Sequence, residues 1–398
     1  MKKILFIFAL GLVLLPMKNA HSKNIKVATF NVSMEALNYI EHKRGSNSIV
    51  PSNTLTKALQ QNNAQIKNIA EIIQRVNPDI ILLNEFDFSD NNQQSKHSAL
   101  KDFLDNYLAQ SQQGQTPQKY PYFYQGPVNT GVNSGFDLDG NGIKGQLPGD
   151  GFGFGYFPGH FAMAILSKYP IDIEKIRTFQ HFKWADMPNA LQPIDEITNQ
   201  SWFKDNAWSS LRLSSKSHWD VPITVNNKTI HILASHPTPP VFDGPEDRNG
   251  KRNHDEIRFW HDYISDNNNG YIYDDNGHKG GLEKSSSFII LGDLNASNVD
   301  GDAISTGINA LLNHDKINDA MPSSEGGKKH SENNINAQYH TAYWRMRADY
   351  VLPSQHGLKP VNSGVFWPLE NEATYRLIKD RAASSDHRLV WVELELTN

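Results

Sequence analysis

The chain contains no cysteine among its 398 residues. That absence excludes disulfide staples and a lipoprotein-type attachment, and leaves stability to the core, its packing and bound metal. Long hydrophobic runs are equally scarce. Beyond the N-terminal segment no stretch is apolar over the thickness of a bilayer, which excludes stable membrane insertion. A basic excess is missing too. With 38 Lys and Arg against 43 Asp and Glu, the formal net charge is −5, so the overall balance does not advertise a general nucleic-acid surface, although local basic patches stay open. No repeat period runs through the chain.

What is present begins with a leader. Lys2 and Lys3 precede an apolar run from Ile4 to Pro16, and Ala20-His21-Ser22 offers small residues where a signal peptidase reads. The segment predicts a cleaved secretory signal over 1–22, a mature start at Lys23, and a secreted or periplasmic protein. Losing Lys2, Lys3 and Lys18 takes the formal charge from −5 to −8, so the mature chain is acidic. Its 38% apolar content is adequate for a sizeable core.

Strand and helix patterns alternate. IKVATFNV (25–32) predicts a strand, Ile66, Ile69, Ile73 and Val76 share one helical face, and Ile80 to Leu83 follow the break at Asn77-Pro78, which together make a β-α-β opening. A second amphipathic helix is predicted around Leu100 to Leu108, and a third around Ile257, Trp260 and Ile264. Further strands are predicted at 161–166, 229–235, 288–291, 350–352 and 389–396. Polar stretches such as AQSQQGQTPQ (109–118) lie between core-type strands and so predict surface loops, not linkers. The expected organisation is one domain over 23–398 with loop insertions at about 86–160, 175–220, 266–284 and 322–338.

Residues 288–295 read FIILGDLN: an apolar run, a glycine that lets another group approach, then Asp293 and Asn295. In isolation this is an Asx turn capping a strand. The same kind of residue borders other apolar runs, however: Asn31 in TFN, Glu85 in PDIILLNE, His236 in ILASH, Asp349 in ADYVLPS, and Asp386-His387 in SSDH. Turn chemistry alone would use Ser, Gly and Thr as readily. Hard oxygen donors with two imidazoles are the set that holds Mg²⁺ or Mn²⁺ and cuts a phosphate ester: carboxylates bind the cation, imidazoles neutralise phosphoryl charge, and one carboxylate readies a water.

The ordered series TFN, PDIILLNE, HFAMAILSKYPI, ILASH, ILGDLN, ADYVLPS and SSDH resembles the endonuclease/exonuclease/phosphatase (DNase I-like) superfamily, over nearly the whole mature chain. The resemblance implies an α/β fold, a four-layer α-β-β-α sandwich of two packed mixed β-sheets flanked by helices, with the site where strand ends converge. It implies Glu85 as principal metal ligand, helped by Asn31 and Asp386. Asp293 would orient or deprotonate the water, Asn295 would hold a phosphate oxygen, and His236 and His387 would contact the phosphoryl group with Asp349 orienting His387. Asn84 and Ala162 depart from the family, where glutamine and glycine are common.

The expected activity is hydrolysis of a phosphodiester or phosphomonoester in a nucleic acid, nucleotide or other organophosphate, by a monomer. A lipid phosphodiesterase of the same superfamily is an alternative. So is a non-catalytic calcium-binding surface protein, which would be expected to lack one or more of Glu85, His236, Asp293 and His387. DLDGNG (137–142) matches the first half of an EF-hand loop through Asp137, Asp139 and Asn141, but Pro148 stands where the bidentate glutamate belongs and Asp150 is the available substitute. A structural Ca²⁺ site and a metal-free Asx-rich turn both fit. Trp184, Trp202, Trp208 and Trp219 either pack the 181–219 insertion onto the body or wall the substrate. Lys216 and Arg252 are candidate phosphate contacts.

Overall fold

The structure is a computed structural model that describes residues 24–42, 48–88, 98–204, 206–267 and 269–397; the leader predicted over 1–22 lies outside the described residues. The first half of the chain contributes strands β1 (Ile25–Met34), β2 (Ile80–Phe86), β3 (Tyr122–Tyr124), β4 (Met163–Ser167) and β5 (Arg177–Thr178), with helices α1 (Thr54–Gln60), α2 (Ala64–Val76) and α3 (Ser98–Phe103). A small hairpin, β6 (Ile194–Asp195) and β7 (Gln200–Ser201), and the single turn α4 (Ala207–Ser210) follow. The second half adds β8 (His218–Val225), β9 (Lys228–Ser235), α5 (Arg248–Ile264), β10 (Ser287–Asp293), α6 (Ser305–Leu312), α7 (Glu325–His330), β11 (Asp349–Pro353), β12 (Leu358–Val365) and β13 (Val390–Leu396).

Two mixed sheets result, in the orders β12-β13-β1-β2-β4-β3 and β11-β10-β9-β8-β5. Side-chain alternation explains why they stack. In β10, Ile289 and Leu291 join the core between the sheets, while Phe288 and Ile290 join the core under α5 and α6. Val351 of β11 faces the first core and Tyr350 and Leu352 the second. On the opposite side Ile66, Ile69 and Ile73 of α2 cover the six-stranded sheet. The layers are therefore helix, sheet, sheet, helix, as expected from the resemblance.

The predicted β-α-β opening is present as β1, α2 and β2, with β1 and β2 parallel through the pair Val27↔Ile80. The helix predicted around Leu100 to Leu108 begins as α3 and continues as one wider turn to Leu108, whereas segments expected as plain loops carry β3, β6, β7, α4 and α7. Two full-length strands escaped the pattern, and both contain proline. In β8, the Pro222 carbonyl faces outward and accepts from Asp172, so the missing N–H lies on a side where only the two-residue β5 pairs. β12 is an edge strand whose register shifts between Pro360 and Asn362.

Candidate active site

Parallel pairing sends β1, β2, β9 and β10 out of the core at the same end of the sandwich, so Asn31, Glu85, His236 and Asp293 meet there. Asn84 fastens the two sheets at that end. Its Oδ1 accepts from Thr29 Oγ1 at 3.2 Å and from the backbone N–H of Asp293 at 3.3 Å, and its Nδ2 donates to Ser235 O at 3.4 Å. Within the second sheet, Gly292 permits the close approach of β9 and β10: a Cβ there would sit 2.1 Å from Ser235 O. Ser33, Glu85 and Asn295 adopt left-handed φ of 47°, 54° and 51°, a clustering of backbone strain of the kind found at functional sites.

Asp293 is the hub. Its Oδ2 lies 3.1 Å from Asn31 Nδ2, 3.3 Å from His236 Nε2 and 3.4 Å from His387 Nε2, and its Oδ1 accepts from the Asn295 N–H at 3.0 Å. Behind His387, Asp349 Oδ2 takes Nδ1 at 2.9 Å and the Thr341 hydroxyl at 2.7 Å. Burial opposes charge on His387, but Asp349 and then Asp293 outweigh it and push the pKa up to about 10. Burial raises Asp349 only to about 6, so at neutral pH the pair is imidazolium and carboxylate. Burial would raise Asp293 as well; His387 and His236 instead hold it below the ordinary carboxylate range. His236 is depressed by burial and by Lys216, so it stays neutral, and its Nδ1 has no hydrogen-bond partner among the described residues.

Glu85 is the open acidic group. It is half-buried, and its carboxylate makes no hydrogen bond or ion pair with a described residue. It lies within electrostatic reach of Lys216, His236 and Arg381. Asp386 accepts from Ser33 Oγ at 3.3 Å and pairs with Arg381 at 3.6 Å, and Asn31 Oδ1 accepts from the Ser33 N–H. An acceptor-only group left without a donor in a partly buried site fits a divalent cation, as do the oxygen donors around it. Asp293, Asp349 and His387 also offer ligand atoms within 4.8 Å of one another. With both nitrogens of His387 engaged and protonated, that trio is a proton-sharing network, whereas metal ligation needs a neutral imidazole.

A family model described as the Endonuclease/Exonuclease/phosphatase family matches residues 28–387. The chain belongs to that family. It is a metal-dependent hydrolase of phosphate esters. Its fold is similar to that of an endonuclease/exonuclease/phosphatase from Beutenbergia cavernae DSM 12333, at 16% identity over 94% of this chain and 72% of that one, with a TM-score of 0.51. An endonuclease/exonuclease/phosphatase family protein from Leptotrichia buccalis C-1013-b matches at 14% identity, 94% and 100% coverage and a TM-score of 0.45. Beta toxin 275-280 from Staphylococcus aureus matches at 17% identity, 92% and 99% coverage and a TM-score of 0.44. No curated protein sequence matches the chain.

Around the centre of this phosphoesterase, the remaining candidates divide. Lys216 is buried, its pKa is lowered by burial, and its ammonium has no hydrogen-bond or ion-pair partner among the described residues. Glu256 holds the two loops that carry Lys216 and His236, accepting from Ser215 N and Thr238 N at 2.6 Å each. Arg252 has turned inward. Three of its donor contacts go to the carbonyls of Leu213, Phe152 and Arg212, which makes it a strut for the Lys216 loop. Asn295 donates Nδ2 to Pro237 O at 3.1 Å.

Asp137, Asp139 and Asp150 bring ligand atoms within 4.8 Å of one another. Asn141 completes the turn, with its Oδ1 accepting from Ile143 N, while Asp150 accepts the N–H groups of Leu138 and Gln146. Trp184 is fully buried and Trp202 and Trp208 pack on the core beneath α5, so these three attach the insertion, whereas Trp219 lies on β8 in the core between the sheets. Trp184 Nε1 donates to Asp255 of α5 at 2.7 Å. Thr341, Ser385, Glu35 and Arg381, the last pairing with Glu35 and with the predicted Asp386, were missed in the sequence because none directly borders a predicted strand; His160, which pairs with Glu35 next to the strand predicted at 161–166, was missed as well.

Proposed function

We propose that the protein is an exported, Mg²⁺- or Mn²⁺-dependent monomeric phosphoesterase. It cleaves a phosphodiester or phosphomonoester by in-line attack of water, as a nuclease or phosphatase that scavenges phosphate. The observation that carries this reading is the convergence of two imidazoles on Asp293 beside two charges without partners among the described residues, the Glu85 carboxylate and the Lys216 ammonium. Glu85 and Asp386, with Asn31 Oδ1 beside them, would hold the cation, which draws charge from the phosphoryl oxygens.

The chain's own groups do the rest. An arriving phosphate takes the N–H donors of His236 and His387 that now rest on Asp293 Oδ2, and that oxygen becomes free to orient a water and accept its proton. His387 arrives as an imidazolium fixed by Asp349, so it donates to charge that grows in the transition state. Lys216, buried and without a partner for its ammonium among the described residues, supplies a point charge to the phosphate. The same reading gives the loop at Asp137, Asp139 and Asn141 a structural Ca²⁺, for which Ca²⁺ should raise the melting temperature of the wild type and not of Asp139→Ala.

The test is hydrolysis of bis-p-nitrophenyl phosphate and p-nitrophenyl phosphate with Mg²⁺, Mn²⁺, Ca²⁺ or EDTA, beside plasmid DNA and sphingomyelin. Activity should require a divalent cation and fall by about 10² to 10⁴ in Asp293→Ala and His387→Ala. Turnover that persists in EDTA, or in either variant, rejects the mechanism. N-terminal sequencing of protein from the culture medium or periplasm should begin at Lys23; a chain retained in the cytoplasm with Met1 intact refutes export.

A further inference from the structure

One exposed element adjoins the reacting centre without serving it. Residues 343–345, Tyr-Trp-Arg, form the tip of a tight turn closed by the bridge between Ala342 and Met346, and all three are exposed. The turn is bolted to the catalytic segment. Tyr343 N donates to Asp386 O at 2.8 Å, Ala342 bridges His387, and Arg388 N donates to Thr341 O at 2.7 Å. Trp344 is 45% exposed, and its ring stands edge-on to His387 with centroids 4.7 Å apart. Tyr343 is 53% exposed and propped from beneath by His330, which in turn lies 5.0 Å from the Trp367 ring. The Arg345 N–H closes the turn by donating to Ala342 O at 3.0 Å, but its guanidinium makes no hydrogen bond or ion pair with a described residue, and the residue occupies φ 74°, where glycine or asparagine is the undemanding choice.

We propose that this turn is the specificity element of the enzyme: Trp344, with Tyr343, stacks on a nucleobase attached to the scissile phosphate, and Arg345 pairs with a neighbouring phosphate. The inference rests on the catalytic reading above and adds its substrate class, a nucleotide or short single-stranded oligonucleotide. Two flat rings held rigid beside a phosphoryl site suit a base, because every base offers a π-face. A quaternary ammonium headgroup could also use aromatic faces, but the Arg345 guanidinium in the same turn repels it. An acidic protein with a single exposed guanidinium on the turn also suits a short strand better than a long duplex.

Two measurements separate this inference from the catalytic reading. In EDTA, binding of fluorescein-labelled oligothymidylate by polarisation should weaken roughly tenfold in Trp344→Ala, recover in Trp344→Phe, and lose about 0.7 from the slope of log affinity against log salt in Arg345→Gln. With the metal present, the ratio of kcat/KM for thymidine 5′-p-nitrophenyl phosphate to that for methyl p-nitrophenyl phosphate should fall by about the same factor in Trp344→Ala, chiefly through KM. If Trp344 merely props His387, both esters slow in proportion and binding is unchanged, which overturns the proposal. A wild type that prefers sphingomyelin vesicles to the nucleoside ester overturns it as well. Trp344-dependent oligonucleotide binding by a protein that hydrolyses nothing would support this inference and sink the catalytic one.

Discussion

Replacing Gly292 by alanine tests the claim that the site depends on two neighbouring strands of one sheet, β9 and β10, touching backbone to backbone. The new Cβ would lie 2.1 Å from the Ser235 carbonyl oxygen, where ordinary contact begins at 3.4 Å. Neither partner is a flexible side-chain end, so β9 and β10 must part by more than one ångström. The overpacking should cost about 1–3 kcal/mol. The two strands deliver His236 and Asp293 one residue later, and their 3.3 Å contact opens with them. A displacement of that size costs roughly 10² in rate. Urea unfolding and kcat on bis-p-nitrophenyl phosphate read both effects, with Gly270→Ala as control, since nothing lies within 4 Å of its Cβ position. A Gly292→Ala protein with wild-type midpoint and wild-type kcat would show that the close approach has no bearing on the site.

Other residues give sharp expectations. Asp349→Asn keeps the shape of the His387 partner and removes its charge, so kcat should fall by about 10² to 10⁴ with little change in KM; an unchanged kcat contradicts the orienting role. Lys216→Met removes a buried ammonium that has no partner among the described residues, so the protein should unfold at equal or higher urea while kcat/KM drops at least tenfold; a destabilised but fully active variant reverses the assignment. His218 is buried with its pKa pushed down to about 4 by burial. The unfolded chain, near 6.5, therefore binds that proton first as pH falls. Its contribution is complete above about pH 6.5 and drains away toward pH 4, by about 3 kcal/mol. His218→Gln should flatten that slope in unfolding measured at pH 7.5 and 4.5.

Much of the centre was legible because catalytic side chains sit where apolar runs stop. A strand announces itself by composition, and the first polar residue after it must emerge at the sheet's end, so Asn31, Glu85, His236 and Asp293 could be picked out one by one. Residues off the strands gave no such signal. Trp344 sits in a three-residue turn, and nothing in YWR distinguishes it from the tryptophans that proved to be packing. Arg252 shows the converse. A cation after His236 looked available for phosphate, but whether a guanidinium faces substrate or backbone carbonyls depends on which loop folds over it.

Local order along the chain is enough to set the strand runs, the amphipathic face of α2, and the kinds of donor at each strand end, because those follow from side-chain periodicity and turn chemistry over a few residues. Tertiary structure alone decides that Asn31, His236 and His387 fall on one carboxylate, that Asn84 binds sheet to sheet, and that Trp344 stands against His387. The physical reason is sequence separation. Asn31 and Asp293 are 262 residues apart, and only the stacking of two sheets across a shared apolar core brings their atoms within hydrogen-bonding distance.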